Sequence, residues 1–216
     1  ELSGNSDAVP GTAKNYTPRA AACAELEHRA SGRSLTVCAA HLLGGRFEDS
    51  TFVSENIAGR SVRSEHARKI AESVKATCGD SGRSVIAGDF NVMRDGYCEG
   101  SAFRKAAEDY FRRDLIGVAM QMPKRKAGLN KEDYTFDAFY VPFQTKVHRT
   151  LSQELGYSLA YGRSDAREDM KTSRYAGCID WIYVRNLKSM KDERIISAIK
   201  EGLSDHNAVM VTLQLA

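Results

Sequence analysis

Ser84-Val85-Ile86-Ala87-Gly88-Asp89-Phe90-Asn91 is an apolar run that stops on an acid, an aromatic ring and an amide. Ser84 to Gly88 reads as a buried central strand, because a strand covered on both faces is apolar without alternation. Gly-Asp-Phe-Asn alone reads as a turn in which Asp89 and Asn91 bond their own backbone. What sets it apart is that three other strand-like runs meet polar residues in the same way.

Ser34-Leu35-Thr36-Val37-Cys38-Ala39-Ala40 ends in His41-Leu42. Gly177-Cys178-Ile179 leads into Asp180 and then Trp181-Ile182-Tyr183-Val184. Gly202-Leu203-Ser204-Asp205-His206-Asn207 precedes the apolar run Ala208 to Leu213. If these strands are neighbours, their ends place two His, three Asp and one Asn around one point. Asp180 begins a hydrophobic strand, where an unpaired carboxylate would cost several kcal/mol, so it needs a partner. The ring of His206 would satisfy it, and the carboxylate would in turn fix the imidazole's tautomer. An acid beside an imidazole at the mouth of a buried strand suits phosphate chemistry: one holds a divalent cation, the other meets a phosphoryl oxygen.

The ordered set His41-Leu42, Gly88-Asp89-Phe90-Asn91, Ile179-Asp180-Trp181-Ile182 and Ser204-Asp205-His206 resembles the endonuclease/exonuclease/phosphatase superfamily, from about Arg19 to the C-terminus. The resemblance implies a four-layered α/β sandwich, deoxyribonuclease I-like, in which two packed mixed β-sheets are flanked by helices. It implies cleavage of a phosphoester with Mg²⁺ or Mn²⁺. By position, Asp205 resembles the C-terminal metal-binding acid, and His206, oriented by Asp180, would contact the scissile phosphate. Asp89 would position or deprotonate the attacking water, Asn91 would hold a phosphoryl oxygen, and His41 would be a second phosphate contact or proton donor. One departure is plain. The family begins with a strand bearing an Asn and then a Leu-Gln-Glu-like motif whose Glu binds metal, and nothing in Glu1 to Arg19 supplies them. The expectation is an N-terminally truncated domain, a fragment or processed product of a longer chain, with N-terminal elements supplied from elsewhere or a degenerate site as the alternatives.

Outward from these motifs, residues 1–17 are rich in Gly, Ser, Ala and Asn and read as a flexible lead-in or linker, leaving 18–216 as the domain. Arg19 to Glu27 suits a strand or a helix, and the turn signal Ser31-Gly32-Arg33 before the next strand makes it one arm of a hairpin. Val62, His66, Ile70 and Val74 recur four apart, with Arg63, Glu65, Lys69 and Glu72 mostly between them, predicting a helix from Ser64 to about Cys78. Further helices are predicted over Ser101 to Arg113 and Val147 to Leu155, a basic loop over Ile116 to Leu129, and strands over Ile179 to Arg185 and Ala208 to Leu215.

The 216 residues suffice for one large domain. A net charge of +3 excludes neither nucleic acid nor a membrane surface. No apolar run of about 18 residues is present, which excludes a spanning helix, and no signal-peptide pattern opens the chain. The five cysteines lack zinc-like spacing. Cys23 and Cys38 read as small core hydrophobes, which slightly favours a reducing, intracellular compartment while leaving one or two disulfides open.

For the substrate, His41 argues mildly against abasic-site endonucleases, and Val92 departs from the continuation typical of inositol 5-phosphatases. From Lys124 to Tyr175, basic residues such as Lys124, Arg125 and Arg163 interleave with Tyr134, Phe136 and Tyr140. That mixture suits a nucleic-acid backbone and stacked bases. Acids such as Glu132, Asp133 and Asp165 share the stretch, so a balanced solvated face stays open. The expected activity is a metal-dependent phosphodiesterase or nuclease. Inositol-phosphate or sphingomyelin-type hydrolysis, and a non-catalytic binding subunit, remain as alternatives.

Overall fold

The computed structural model describes residues 21–42, 62–92, 105, 108, 146–160, 172–173, 178–189 and 194–215. Strand β1 (Ala21–His28) and strand β2 (Arg33–His41) form the expected antiparallel hairpin, paired from Ala21↔Ala40 to His28↔Arg33. The turn closes through Gly32, whose φ of 62° suits a residue without Cβ. Helix α1 (Val62–Cys78) then carries the chain across to strand β3 (Ser84–Asp89), which pairs parallel to β2. A parallel pair requires such a crossover. The helix has Glu65 in its first turn and Lys75 in its last, each favourable to the helix dipole, and ends on Gly79 at φ 72°.

Strand β5 (Asp180–Arg185) pairs antiparallel with the other edge of β3, and strand β4 (Ser158–Leu159) pairs with β5. The result is a five-stranded mixed sheet in the order β1-β2-β3-β5-β4, with Ser84 to Asp89 central as its composition required. Between β3 and β4, residues 146–149 are helical and continue into a π-type turn, Thr150–Glu154. Of the helix predicted over Ser101 to Arg113, Lys105 and Glu108 are helical and the rest lies outside the described residues, as do the loop at Ile116 to Leu129 and the 1–17 lead-in.

The last expected strand is two short ones. Strand β8 (Ala208–Met210) pairs with strand β7 (Arg194–Ile196), and strand β9 (Leu213–Gln214) pairs with strand β6 (Lys188–Ser189). Four residues separate β6 from β7 but only two separate β8 from β9, so the ladder cannot stay in one register.

Alternation places the core on both faces of the sheet. Cys38, Ile86 and Tyr183 share a cluster with Ala67, Ile70 and Val74 of α1. Val85 and Val184 point the other way, onto Leu187, Val211 and Leu213 of the C-terminal strands. Helix, mixed sheet and C-terminal strands are thus successive layers of a sandwich. No helix among the described residues is long and apolar enough to cross a membrane.

Two expectations are corrected. Cys23 and Cys38 are not free hydrophobes but a disulfide: they sit directly opposite across β1 and β2, so the hairpin register itself brings the sulfurs together. This removes the ground on which the cysteines favoured a reducing compartment. The buried flank of α1 is also wider than its four-residue repeat implied. Arg63, Ser64 and His66 are buried with Ala67, Ile70, Ala71 and Val74, and Arg63 is only 1% exposed.

Candidate active site

Register alone brings three of the expected site residues into one row. His41 pairs with Asp89 across β2 and β3, and Asp89 pairs with Asp180 across β3 and β5. His41 Nε2 lies 3.4 Å from Asp89 Oδ2, with the histidine side chain half exposed at 54%. His206 arrives from the C-terminal segment and places Nδ1 2.9 Å from Asp180 Oδ2. The main chain bridge Ser173↔His206 fixes its approach, and the Ser204 hydroxyl accepts the His206 backbone N–H. Thr172 supports the opposite partner, its hydroxyl accepting the N–H groups of Ile179 and Asp180.

Gly88 explains why this strand end needs a glycine. Its φ is 142°, and a Cβ there would fall on the Ala40 carbonyl of the adjacent strand. The chain then curls through Asn91, which adopts a left-handed φ of 51°. Asp89 Oδ1 accepts the Asn91 backbone N–H at 2.7 Å, an Asx-type turn. The Asn91 amide donates to Leu42 O at 2.9 Å and to Asp89 Oδ2 at 3.3 Å, so both its hydrogens are engaged in holding the loop. The turn reading of Gly-Asp-Phe-Asn and the clustering of its polar groups therefore hold at once.

The electrostatics follow from the crowding. Burial is the main reason that Asp89 is held above the usual carboxylate range; the Asn91 N–H opposes the shift and the facing Asp180 carboxylate adds to it. For His206, burial works against the charged ring, but the hydrogen bond to Asp180 and the fields of Asp180, Asp89 and Asp205 prevail and raise it. Donor atoms of Asp89, Asp180 and His206 lie within 4.8 Å of one another, and this donor set suits a divalent cation. Asp205 is not in that group; it is exposed, close enough to act on His206 through its charge. Of the six expected residues, five are brought together, and Asp205 is exposed beside His206.

Two neighbours escaped the sequence reading. Trp181 reads as an apolar strand residue, yet its indole N–H donates to Val92 O at 2.8 Å and pins the far side of the loop. Arg63 reads as a solvated helix residue, yet its guanidinium donates from beneath to Asn91 O. Neither carries a signal in the local pattern, because each partner lies far away in sequence, across neighbouring strands for Trp181 and across layers for Arg63.

No protein-family model matches the chain, and no curated protein matches it. Solved structures do. An endonuclease/exonuclease/phosphatase from Bacteroides vulgatus superposes with a TM-score of 0.52 at 18% identity, covering 92% of this chain and 56% of its own. One from Beutenbergia cavernae DSM 12333 gives a TM-score of 0.52 at 13% identity, covering 94% of this chain and 41% of its own. The chain therefore spans about half the length of the solved structures it matches. Together with the layered mixed sheet, this likeness shows that the chain has the fold of these endonuclease/exonuclease/phosphatase structures.

Proposed function

We propose that the chain carries the site of a metal-dependent phosphoester hydrolase, with a phosphodiester, most naturally a nucleic acid, as substrate. The observation that carries this reading is the row His41, Asp89 and Asp180 closed by the Asp180–His206 pair. It gathers two carboxylates and two imidazoles at one end of the sheet, where a packed strand end would otherwise be apolar. Asp180 holds the His206 ring by Nδ1, leaving Nε2 to meet a phosphoryl oxygen, and the raised His206 is cationic over a wider pH range than a free histidine. Asp89, raised by burial, is poised to orient water and take its proton. His41 is exposed enough to reach a second oxygen of the same phosphate. Asn91 acts first on Asp89, and would have to release a hydrogen to reach substrate.

The metal would be held among Asp89, Asp180 and, on the family resemblance, Asp205. A bound Mg²⁺ or Mn²⁺ supplies charge neutralisation at the phosphoryl oxygens. Nucleic acid is favoured by the basic and aromatic interleaving from Lys124 to Tyr175. Inositol phosphates and phosphorylated lipids are the competing substrates.

A second reading, a non-catalytic binding subunit, is favoured by the position of Asp205 outside the three-residue cluster. The purified chain, incubated with single- and double-stranded DNA, RNA, inositol phosphates and sphingomyelin in Mg²⁺ or Mn²⁺, distinguishes the two. Metal-dependent cleavage lost in His206→Ala supports the hydrolase. No cleavage of any of these, with no calorimetric binding of Mg²⁺ or Mn²⁺ near millimolar concentration, would sink it.

A further inference from the structure

Among the residues close to the site, Arg63 is the one whose placement costs most and whose role is least evident from its sequence position. It lies in the first turn of α1, 1% exposed, on a buried helix flank that it shares with Ser64, His66 and the apolar Ala67, Ile70, Ala71 and Val74. Burying a guanidinium is unfavourable unless its hydrogen bonds are well directed, and an aliphatic residue would fill that flank at less cost. Its Nη1 donates to the backbone carbonyl of Asn91.

That carbonyl belongs to the residue with the left-handed backbone, so the Asx turn of Asp89 and Asn91 turns it toward the helix layer. The loop is also tied sideways, within the sheet layer. Asp89 O accepts from Leu42 N at 2.8 Å, and Val92 O accepts from Trp181 Nε1 at 2.8 Å. Arg63 adds a tie between layers, from α1 to the strand end that carries Asp89.

We propose that Arg63 is a positioning residue: by holding Asn91 O it sets the height and tilt of the Asp89–Asn91 turn relative to His41 and His206. The catalytic part of this rests on the hydrolase reading above; the geometric part does not. A planar fork is suited to the task, since it holds a carbonyl with less freedom than an ammonium on a flexible stem.

The test uses the full chain with Arg63→Lys and Arg63→Met. The chain has a single tryptophan, so its indole N–H gives one unambiguous NMR cross-peak, and that proton is bonded to the same loop at Val92 O. Both variants should shift this peak and speed its exchange with solvent. With bis(p-nitrophenyl) phosphate and Mn²⁺, kcat should fall by roughly 10- to 100-fold, while KM stays within about threefold of the parent. Lysine should not restore kcat, because it keeps the charge and loses the fork. An unmoved indole peak, or full kcat in Arg63→Lys, would overturn the proposal. So would failure of both variants to fold, which would assign Arg63 to core stability alone. If the parent chain proves inactive, the hydrolase reading fails, and the indole peak still decides whether Arg63 sets the loop.

Discussion

Asp89 and Asp180 face each other on adjacent strands, paired directly where β3 ends and β5 begins. Like charges opposite one another on a sheet are destabilising, and each is relieved differently. Asp180 is relieved by His206, and Asp89 by Asn91 and His41. In the metal-free chain, the Asp89 carboxyl followed by carbon NMR should titrate above the usual value of about 4. Asp180→Asn should bring it down in part, since burial, the larger cause, remains. A titration of Asp89 at the ordinary carboxylate value would contradict the crowding described here.

His206 contributes to the pH dependence of the metal-free fold. Its pKa is raised in the folded state, so the stabilisation it contributes is fully present below the unfolded value of about 6.5. It is lost as pH rises through the folded value. The Asp180→Asn chain should lack this decline, while the parent should melt at progressively lower temperature as pH is raised through that window. Parallel melting curves for the two chains from pH 6 to pH 9 would show the pair to be inconsequential.

Hydrolysis should respond unequally to the polar residues. His206→Ala removes the ring held by Asp180 and should lower kcat by about 10²- to 10⁴-fold. His41→Ala, at a half-exposed contact 3.4 Å from Asp89, should cost less than His206→Ala. Steady-state kinetics on a phosphodiester read both, and equal losses would remove the distinction between them.

Gly88→Ala should destabilise the domain by about 2–4 kcal/mol, combining a strained φ with overpacking against the Ala40 carbonyl. Because Gly88 adjoins Asp89, activity should fall in the fraction that remains folded. Thermal denaturation provides the check, and a melting temperature equal to that of the parent would refute the close-approach account.

The Cys23–Cys38 bridge closes a sequence separation of 15 residues. Its loss by reduction or in the Cys23→Ala/Cys38→Ala chain should cost about 3 kcal/mol, in the chain-entropy account of disulfides. Denaturant unfolding with and without dithiothreitol measures it. The double variant should be insensitive to the reductant; if it responds as strongly as the parent, another cysteine is responsible.

Much of the fold lay in local pattern. Ser84 to Gly88 is apolar without alternation and is the central strand; Ser31-Gly32-Arg33 marks the hairpin turn; the four-residue spacing of His66, Ile70 and Val74 marks α1. The acids and imidazoles at strand ends were identifiable because a carboxylate beginning a hydrophobic strand demands a partner, and Asp180 has one in His206. The reach of Asp205 was not identifiable in that way, since adjacency to His206 in sequence does not say which way an exposed side chain turns.

By itself the sequence determined strands β1, β2, β3 and β5, the order of the polar motifs and the need of Asp180 for a counter-group, all properties of neighbours along the chain. The tertiary structure decided the rest. Strand register put His41, Asp89 and Asp180 in one row and set Cys23 opposite Cys38, and helix packing drew Arg63 under Asn91. Register and interlayer contact depend on residues far apart in sequence, whose pairing energy appears only when the chain has folded back on itself. Periodicity reports which face of a segment is apolar, and cannot report which polar side chain that face will carry inward to hold a carbonyl.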